Sequence, residues 1–323
     1  MKAAVVHTWG GPEALKYEEV ADPIPGPGQV LVSLKTASVN YHDVLVRQTG
    51  RGLDLPNILG IDGAGTREDT GEEVVLYPAL NWGDDPEFFG PSFEVLGDAS
   101  DGTYAEKIVV PESSVFRKPA SLSWEEAGAL PIAGLTAFRA LFTRGKLEAG
   151  EAVLVLGAGS GVSTLAVSFA VAAGARVFVT SSSSEKIEKS VELGAEGGFL
   201  YTDPQWVEQV QAGTGGVDLV IDGVGSSLQD AVDSLRMGGR VVVFGTSGGG
   251  EATVGIPSIF FGQKSVIGTT SGSPSEFQRM LSFVDAQGIK PVIDSVWPLH
   301  ETAAAHRHME GRKHFGKIVL QVS

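Results

Sequence analysis

Val153-Leu-Val-Leu-Gly157-Ala-Gly159-Ser-Gly161-Val-Ser163 decides how the rest of the chain is read. The aliphatic run Val153 to Leu156 suits a buried strand, and the apolar run Leu165 to Ala173 suits a helix packed against a sheet. Between them, glycines without side chains permit a tight turn and let a ligand reach the main chain. The backbone around Gly157, Gly159, Ser160, Gly161 and Val162 can then meet an anion where the helix N-terminus carries partial positive charge. A purely structural turn is the alternative. The strand, turn and helix context favours the pyrophosphate of a dinucleotide. At the last small position Ser163 replaces the usual glycine, which predicts tighter packing with binding retained.

Downstream, the end of the second predicted strand is where a carboxylate would bind the ribose 2′-hydroxyl of NAD. Here the chain reads Thr180-Ser-Ser-Ser-Ser-Glu-Lys186. Ser182, Ser183 and Lys186 suit a 2′-phosphate, which an acid at this position would repel, so NADPH is expected over NADH. Glu185 as a ribose acid, within a solvated loop and helix cap, is the competing reading. Folds that bind methyl donors share the turn but also usually place an acid here.

Apolar strands are predicted at Ala152 to Leu156, Arg176 to Thr180, Val217 to Ile221 and Arg240 to Phe244, alternating with helix-length segments. That alternation predicts a doubly wound parallel sheet covered on both faces, an α/β class. Upstream, the first ~120 residues are β-rich: short runs at Ala3 to Val6, Gln29 to Ala37, Glu73 to Tyr77 and Tyr104 to Val110 are punctuated by Pro and Gly. Downstream come a helix at Ser275 to Gln287, a strand around Ile289 to Trp297, a helix near Glu301 to Gly311 and a final strand Gly316 to Val322. This tail is expected to pack on the first domain.

The chain has 323 residues, against a usual ~100 to 200 per domain, which allows two domains. Its 24 Lys plus Arg against 39 Asp plus Glu give a formal charge of −15, a surface that repels phosphate backbones and anionic lipid. No nucleic-acid or membrane partner is expected. Cysteine is absent, so disulfides and thiolate chemistry are excluded. The N-terminal residues lack a signal-like apolar core, and the longest apolar run, Leu165 to Ala175, falls short of the ~20 residues that span a bilayer. A cytoplasmic location is expected.

Several stretches, in order, carry a resemblance: Gly26-Pro-Gly-Gln-Val-Leu-Val32, Ala37-Ser-Val-Asn-Tyr-His-Asp43, Leu59-Gly-Ile-Asp-Gly-Ala-Gly65, Asp101-Gly-Thr-Tyr-Ala-Glu106 and Leu130-Pro-Ile-Ala-Gly-Leu-Thr-Ala137. Val220-Ile-Asp-Gly-Val-Gly225, Gly238-Gly-Arg-Val-Val-Val-Phe-Gly245 and His314-Phe-Gly-Lys-Ile-Val-Leu320 continue it almost to the end. The chain resembles the medium-chain dehydrogenase/reductase superfamily, in its zinc-free, quinone oxidoreductase-like branch. The resemblance implies a β-rich GroES-like catalytic domain, residues 1–122 and 269–323, and a Rossmann dinucleotide-binding domain, residues 123–268. It implies a homodimer built through the edge strand near Ser265 to Thr270. It also places Thr136, Phe244 and Gly245 at the nicotinamide, and Tyr201 with Lys186 at the 2′-phosphate.

Zinc-dependent members hold their metal with a Cys-x-x-Asp, a Gly-His-Glu and a Pro-Cys element. The matching positions here are Asn40, Ile61 and Ile132, so no metal site is expected. The four-cysteine lobe of those relatives corresponds to Asn81-Trp-Gly-Asp-Asp-Pro-Glu-Phe-Phe-Gly90, expected to be a zinc-free loop filled by Trp82, Phe88 and Phe89. His306 and His308, two apart on a predicted helix, point away from each other and do not suit a shared metal. His42 matches a cleft position, as a structural residue or a proton relay, while Asp43 is expected to bond backbone amides.

Without a metal to polarise a simple carbonyl, the expected acceptor of hydride is a quinone or an α,β-unsaturated carbonyl, whose charge spreads to a distant oxygen. Asn40 and Tyr41 are the expected donors, with Tyr41 a candidate proton source. An enoyl-thioester reductase and a cofactor-binding relative without turnover are the rival readings.

Overall fold

The helix and strand alternation of the middle of the chain builds a sheet of six parallel strands. Across it, they run Gly197–Leu200, Arg176–Ser181, Ala152–Val155, Val217–Asp222, Leu235–Val243 and Ser265–Gly268. Strand order reverses between Ala152–Val155 and Val217–Asp222, the switch point beside which dinucleotides bind in such sheets. Val153, Leu154, Val220, Ile221, Val241 and Val242 are all buried, as strands covered on both faces require. The computed structural model describes residues 1–98 and 100–323 and divides them into two units. This sheet and its helices form the second, Thr136–Ser271.

The first unit joins Met1–Leu135 to Gly272–Ser323. Its long strand Gln29–Val39 pairs antiparallel with Asp62–Arg67, Lys107–Pro111 and the C-terminal strand Lys317–Gln321. The tail therefore returns to this unit. A smaller sheet orders Leu15–Glu19, Lys2–Val6 and Asn57–Ile58. Two features differ from expectation. The unit boundary lies at Leu135/Thr136, later than residue 122, and residues 269–271 group with the second unit. The change of texture at Trp124 marks the onset of helix but not a change of partner: Thr36 Oγ1 donates to Trp124 O at 2.7 Å, and a Cβ on Gly128 would stand 2.4 Å from Thr36 Oγ1. Small residues bring helix Trp124–Ala129 against the first unit's sheet.

The loop from Asn81 is filled by aromatic rings, though not by the set expected. Trp82 is buried, meets Phe89 and Phe93 edge-on at 5.9 and 5.8 Å, and those two rings stack at 4.4 Å. Phe88 points to solvent, so Phe93 takes the place expected for it. The helix Tyr41–Thr49 was not expected at all. Its signals are local: Asp43 Oδ2 accepts from the Asn40 backbone N–H at 2.7 Å at the start, and Gly50 ends it at φ 69°.

Candidate active site

In the second unit the glycine turn follows strand Ala152–Val155, and Ser160 caps helix Gly161–Ala172 by accepting from Ser163 N–H at 3.1 Å. Ser163 does more than occupy a small position. Its hydroxyl donates to Gly157 O at 2.9 Å and lies 3.1 Å from Ser160 O, which ties the two sides of the turn together. Gly159 sits at φ 106°, and a Cβ there would stand 2.9 Å from Lys186 Cδ and 3.2 Å from its Nζ. Lys186 thus lies directly over the turn. A side chain at Gly159 would displace it.

Ser183 caps helix Ser184–Glu192, its Oγ accepting from Lys186 N–H at 3.4 Å, while Ser182 is exposed. Tyr201 is exposed, and its N–H donates to Ser181 O at 3.1 Å, which holds its backbone at the end of strand Arg176–Ser181. Glu185 instead pairs with Lys189 at 2.8 Å on the outer face of the helix, and this contact lowers its carboxyl from the ordinary value. Phe244 and Gly245 follow strand Leu235–Val243, where Phe244 N–H donates to Asp222 O at 2.9 Å. A Cβ on Gly245 would meet Gly223 O at 2.9 Å, so the two strand ends approach as closely as glycine allows. Thr136 is buried in helix Pro131–Phe138 at the start of this unit. Asp222 is a polar residue that sequence reading passed over. Burial raises its carboxyl although Oδ1 accepts from Val224 and Gly225 N–H.

In the first unit the expected donors begin helix Tyr41–Thr49, with Asn40 as its cap. The Asn40 side chain enters a buried cluster that sequence reading did not find. Asp62 Oδ2 accepts from Asn40 Nδ2, Ser38 Oγ and Lys317 Nζ, each at 2.9 Å, and its Oδ1 accepts from Ile132 N–H at 2.7 Å. Lys317 Nζ also donates to Asn40 Oδ1 at 2.5 Å. Gly316 permits this placement: it sits at φ 105°, where a Cβ would collide with Val292 O at 2.4 Å. Lys317 belongs to the stretch His314 to Leu320, but nothing local to it announces a partner 255 residues away. Tyr41 is half-exposed, and its hydroxyl accepts from Arg312 Nη2 at 3.4 Å. His42 Nε2 lies 2.9 and 3.0 Å from the two carboxylate oxygens of Asp98.

Asp43, on helix Tyr41–Thr49, and His306, on helix Thr302–Glu310, are both buried. Asp43 accepts from Tyr104 OH at 2.8 Å, and burial pushes its carboxyl up to about 7. His306 Nε2 lies 3.2 Å from the same hydroxyl, and burial holds its imidazole down at about 3. His308 turns away to Asp294 at 2.7 Å.

The residues at the family's metal positions do not fit zinc. Ile61 and Ile132 are aliphatic, and Asn40 Oδ1 already accepts from an ammonium, which would repel a cation. Among the described residues no group of three His, Cys, Asp or Glu is arranged to hold a metal ion.

A parallel sheet with a glycine turn at its switch point in one unit, and a buried polar cluster in a β-rich other unit, define a dinucleotide-dependent oxidoreductase architecture. Sequence comparison agrees. The family described as alcohol dehydrogenase GroES-like domain matches residues 26–120, and that described as zinc-binding dehydrogenase matches residues 161–286. A zinc-type alcohol dehydrogenase-like protein of Schizosaccharomyces pombe is 35% identical over 97% of this chain and 96% of its own. Quinone oxidoreductase of Mus musculus is 31% identical over 99% and 97%. Among solved structures, an NAD-dependent alcohol dehydrogenase superposes with a TM-score of 0.95, at 38% identity and complete coverage of both chains. The chain belongs to the medium-chain dehydrogenase/reductase superfamily and is an oxidoreductase of that family.

Proposed function

We propose that the protein transfers hydride from NADPH to a quinone or an α,β-unsaturated carbonyl without a catalytic metal. The observation that carries the reading is the cluster at the metal positions, where an amide, an ammonium and aliphatic groups stand in place of a zinc ligand set. A bound reduced nicotinamide would supply the hydride. The chain must then hold the dinucleotide and stabilise charge on an oxygen remote from the carbon that is reduced. The glycine turn with Lys186, Ser182, Ser183 and Tyr201 suits the first task, with Thr136, Phe244 and Gly245 at the nicotinamide. Asn40 and Tyr41 suit the second, and Tyr41 would give up a proton in completing the two-electron reduction. NADPH over NADH is supported by Lys186 above the turn and by Glu185 being engaged with Lys189. A homodimer is supported by the uncovered edge strand Ser265–Gly268, beside which Phe260 and Phe261 are exposed.

The deciding experiment follows NADPH and NADH oxidation against a panel of quinones, enones, enoyl thioesters and simple aldehydes, with and without a chelator. Turnover of quinones or enones that survives chelation is expected. Turnover confined to simple alcohols or aldehydes and abolished by chelation would overturn the reading.

A further inference from the structure

The Asn40 amide cannot be flipped in this cluster. An ammonium only donates and a carboxylate only accepts, so Lys317 must meet Oδ1 and Asp62 must meet Nδ2. Lys317 could be neutralised by Asp62 alone, yet its shorter bond, 2.5 Å against 2.9 Å, goes to the asparagine. Asp62 is fully buried and Lys317 is 3% exposed, so neither reaches solvent freely, whereas Asn40 is only partly buried. One Nδ2 hydrogen goes to Asp62. The other has only a 3.5 Å contact with Ser38 O, which a better acceptor can displace.

A cation on Oδ1 draws charge out of the amide and strengthens the donors at the nitrogen, as hydrogen bonds in series polarise one another in a low dielectric. We infer that Lys317 is a positioning residue for the reduction: through the Asn40 amide it aims and reinforces the Nδ2–H that meets the oxygen gaining negative charge. Positive charge reaches the substrate by way of an amide, and the ammonium itself stays behind it. Asp62 completes the arrangement by orienting Nδ2 and balancing the buried ammonium. This inference rests on the proposed reduction.

The test is a set of variants read by two independent measurements. Lys317→Met removes the charge, Lys317→Arg keeps it, and Lys317→Met/Asp62→Asn removes both charges so that no unpaired carboxylate is left to compromise folding. In steady-state enone reduction, Lys317→Met and the double variant are expected to lose at least about tenfold in kcat, with KM for NADPH within about threefold. Lys317→Arg should recover most of the loss. Because the lysine acts through Asn40, adding Lys317→Met to Asn40→Ala should cost no more than Asn40→Ala alone. The second measurement needs no substrate: the side-chain amide protons of Asn40, followed by NMR in the whole protein, should exchange at least about tenfold faster in folded Lys317→Met than in wild type, and faster in the double variant than in Asp62→Asn alone. Wild-type kcat in both folded variants, or an undiminished loss in the Asn40→Ala background, would overturn the inference. If the wild type reduces no quinone or enone, the functional reading fails on that count. The exchange rates then still decide whether Lys317 holds the amide, unchanged rates counting against it.

Discussion

Under the proposed reading, Lys186 is the side chain that selects the cofactor. Its Nζ lies over the glycine turn because Gly159 leaves room for it, and Ser183 fixes its backbone at the start of the helix. A charge-assisted hydrogen bond to a 2′-phosphate contributes roughly 1.5 to 3 kcal/mol, or about ten- to a hundredfold in affinity. Lys186→Ala is therefore expected to weaken NADPH by that factor and leave NADH nearly unchanged. Fluorescence titration of both cofactors against wild type and variant checks this; equal losses for the two would mean that Lys186 serves the turn and not the phosphate. The serine-rich segment Ser181 to Ser184 was legible as polar and lacking an acid, but the pairing of Glu185 with Lys189 was not. That pairing follows from helical spacing once the helix is known to start at Ser184.

Among the elements, the turn and the edge strand carry the clearest consequences. Ser163, read as a small residue standing in for glycine, also closes the turn with its hydroxyl, a role that depends on where Gly157 O and Ser160 O point. Among the described residues, strand Ser265–Gly268 pairs on one side only, with Leu235–Val243, and the sequence just before it holds exposed Phe260 and Phe261. An open edge presents unpaired N–H and C=O groups on which another edge can pair, and a charge placed there opposes it. Val266, exposed on that strand, is the position to test. Val266→Lys is expected to weaken self-association about tenfold or more, equivalent to about 1.4 kcal/mol, as read by sedimentation velocity over a concentration series. A wild type that stays monomeric throughout, or a variant that associates as tightly, would remove this strand as the interface.

In the folded chain, two buried titrating groups in the first unit oppose one another as pH changes. Asp43, raised from 3.8 to about 7, binds a proton in the native state that the unfolded chain has released, so it lowers stability as pH rises through that interval. His306, lowered from 6.5 to about 3, is neutral in the native state where the unfolded chain is charged, so its contribution is lost as pH falls from 6.5 towards 3. Between about pH 4 and 6.5 the two slopes largely cancel, each being about 1.4 kcal/mol per pH unit for one proton. Separating them gives opposite trends: His306→Gln should lose stability as pH rises from 4 to 7, and Asp43→Asn should gain it from 3.5 to 6.5. Urea unfolding at stepped pH measures both, and two variants that keep the wild-type pH profile would refute the assignment. The expectation that Asp43 bonds backbone amides captured only its contact with Asn40 N–H. Tyr104, whose hydroxyl meets the carboxylate, and His306, on the far side of that hydroxyl, arrive from distant segments and help to bury it.

What the sequence by itself determined is the part written in local spacing. Apolar runs at strand length, glycines between a strand and a helix, and the alternation of the two define the parallel sheet and its glycine turn, because these depend on neighbours within about 20 residues. That cysteine is absent, and that Asn40, Ile61 and Ile132 offer no thiolate, imidazole or carboxylate, was equally legible, since chemistry absent from a side chain cannot be restored by folding. The tertiary structure alone decided which groups replace them. Lys317 and Asp62 are brought together when the C-terminal strand pairs antiparallel with Gln29–Val39, itself paired with Asp62–Arg67. The register of those pairings turns Ser38, Asn40 and Lys317 onto one carboxylate. An ion pair formed across two strand pairings leaves no periodic trace in the sequence, because only the geometry of the closed sheet makes its members neighbours.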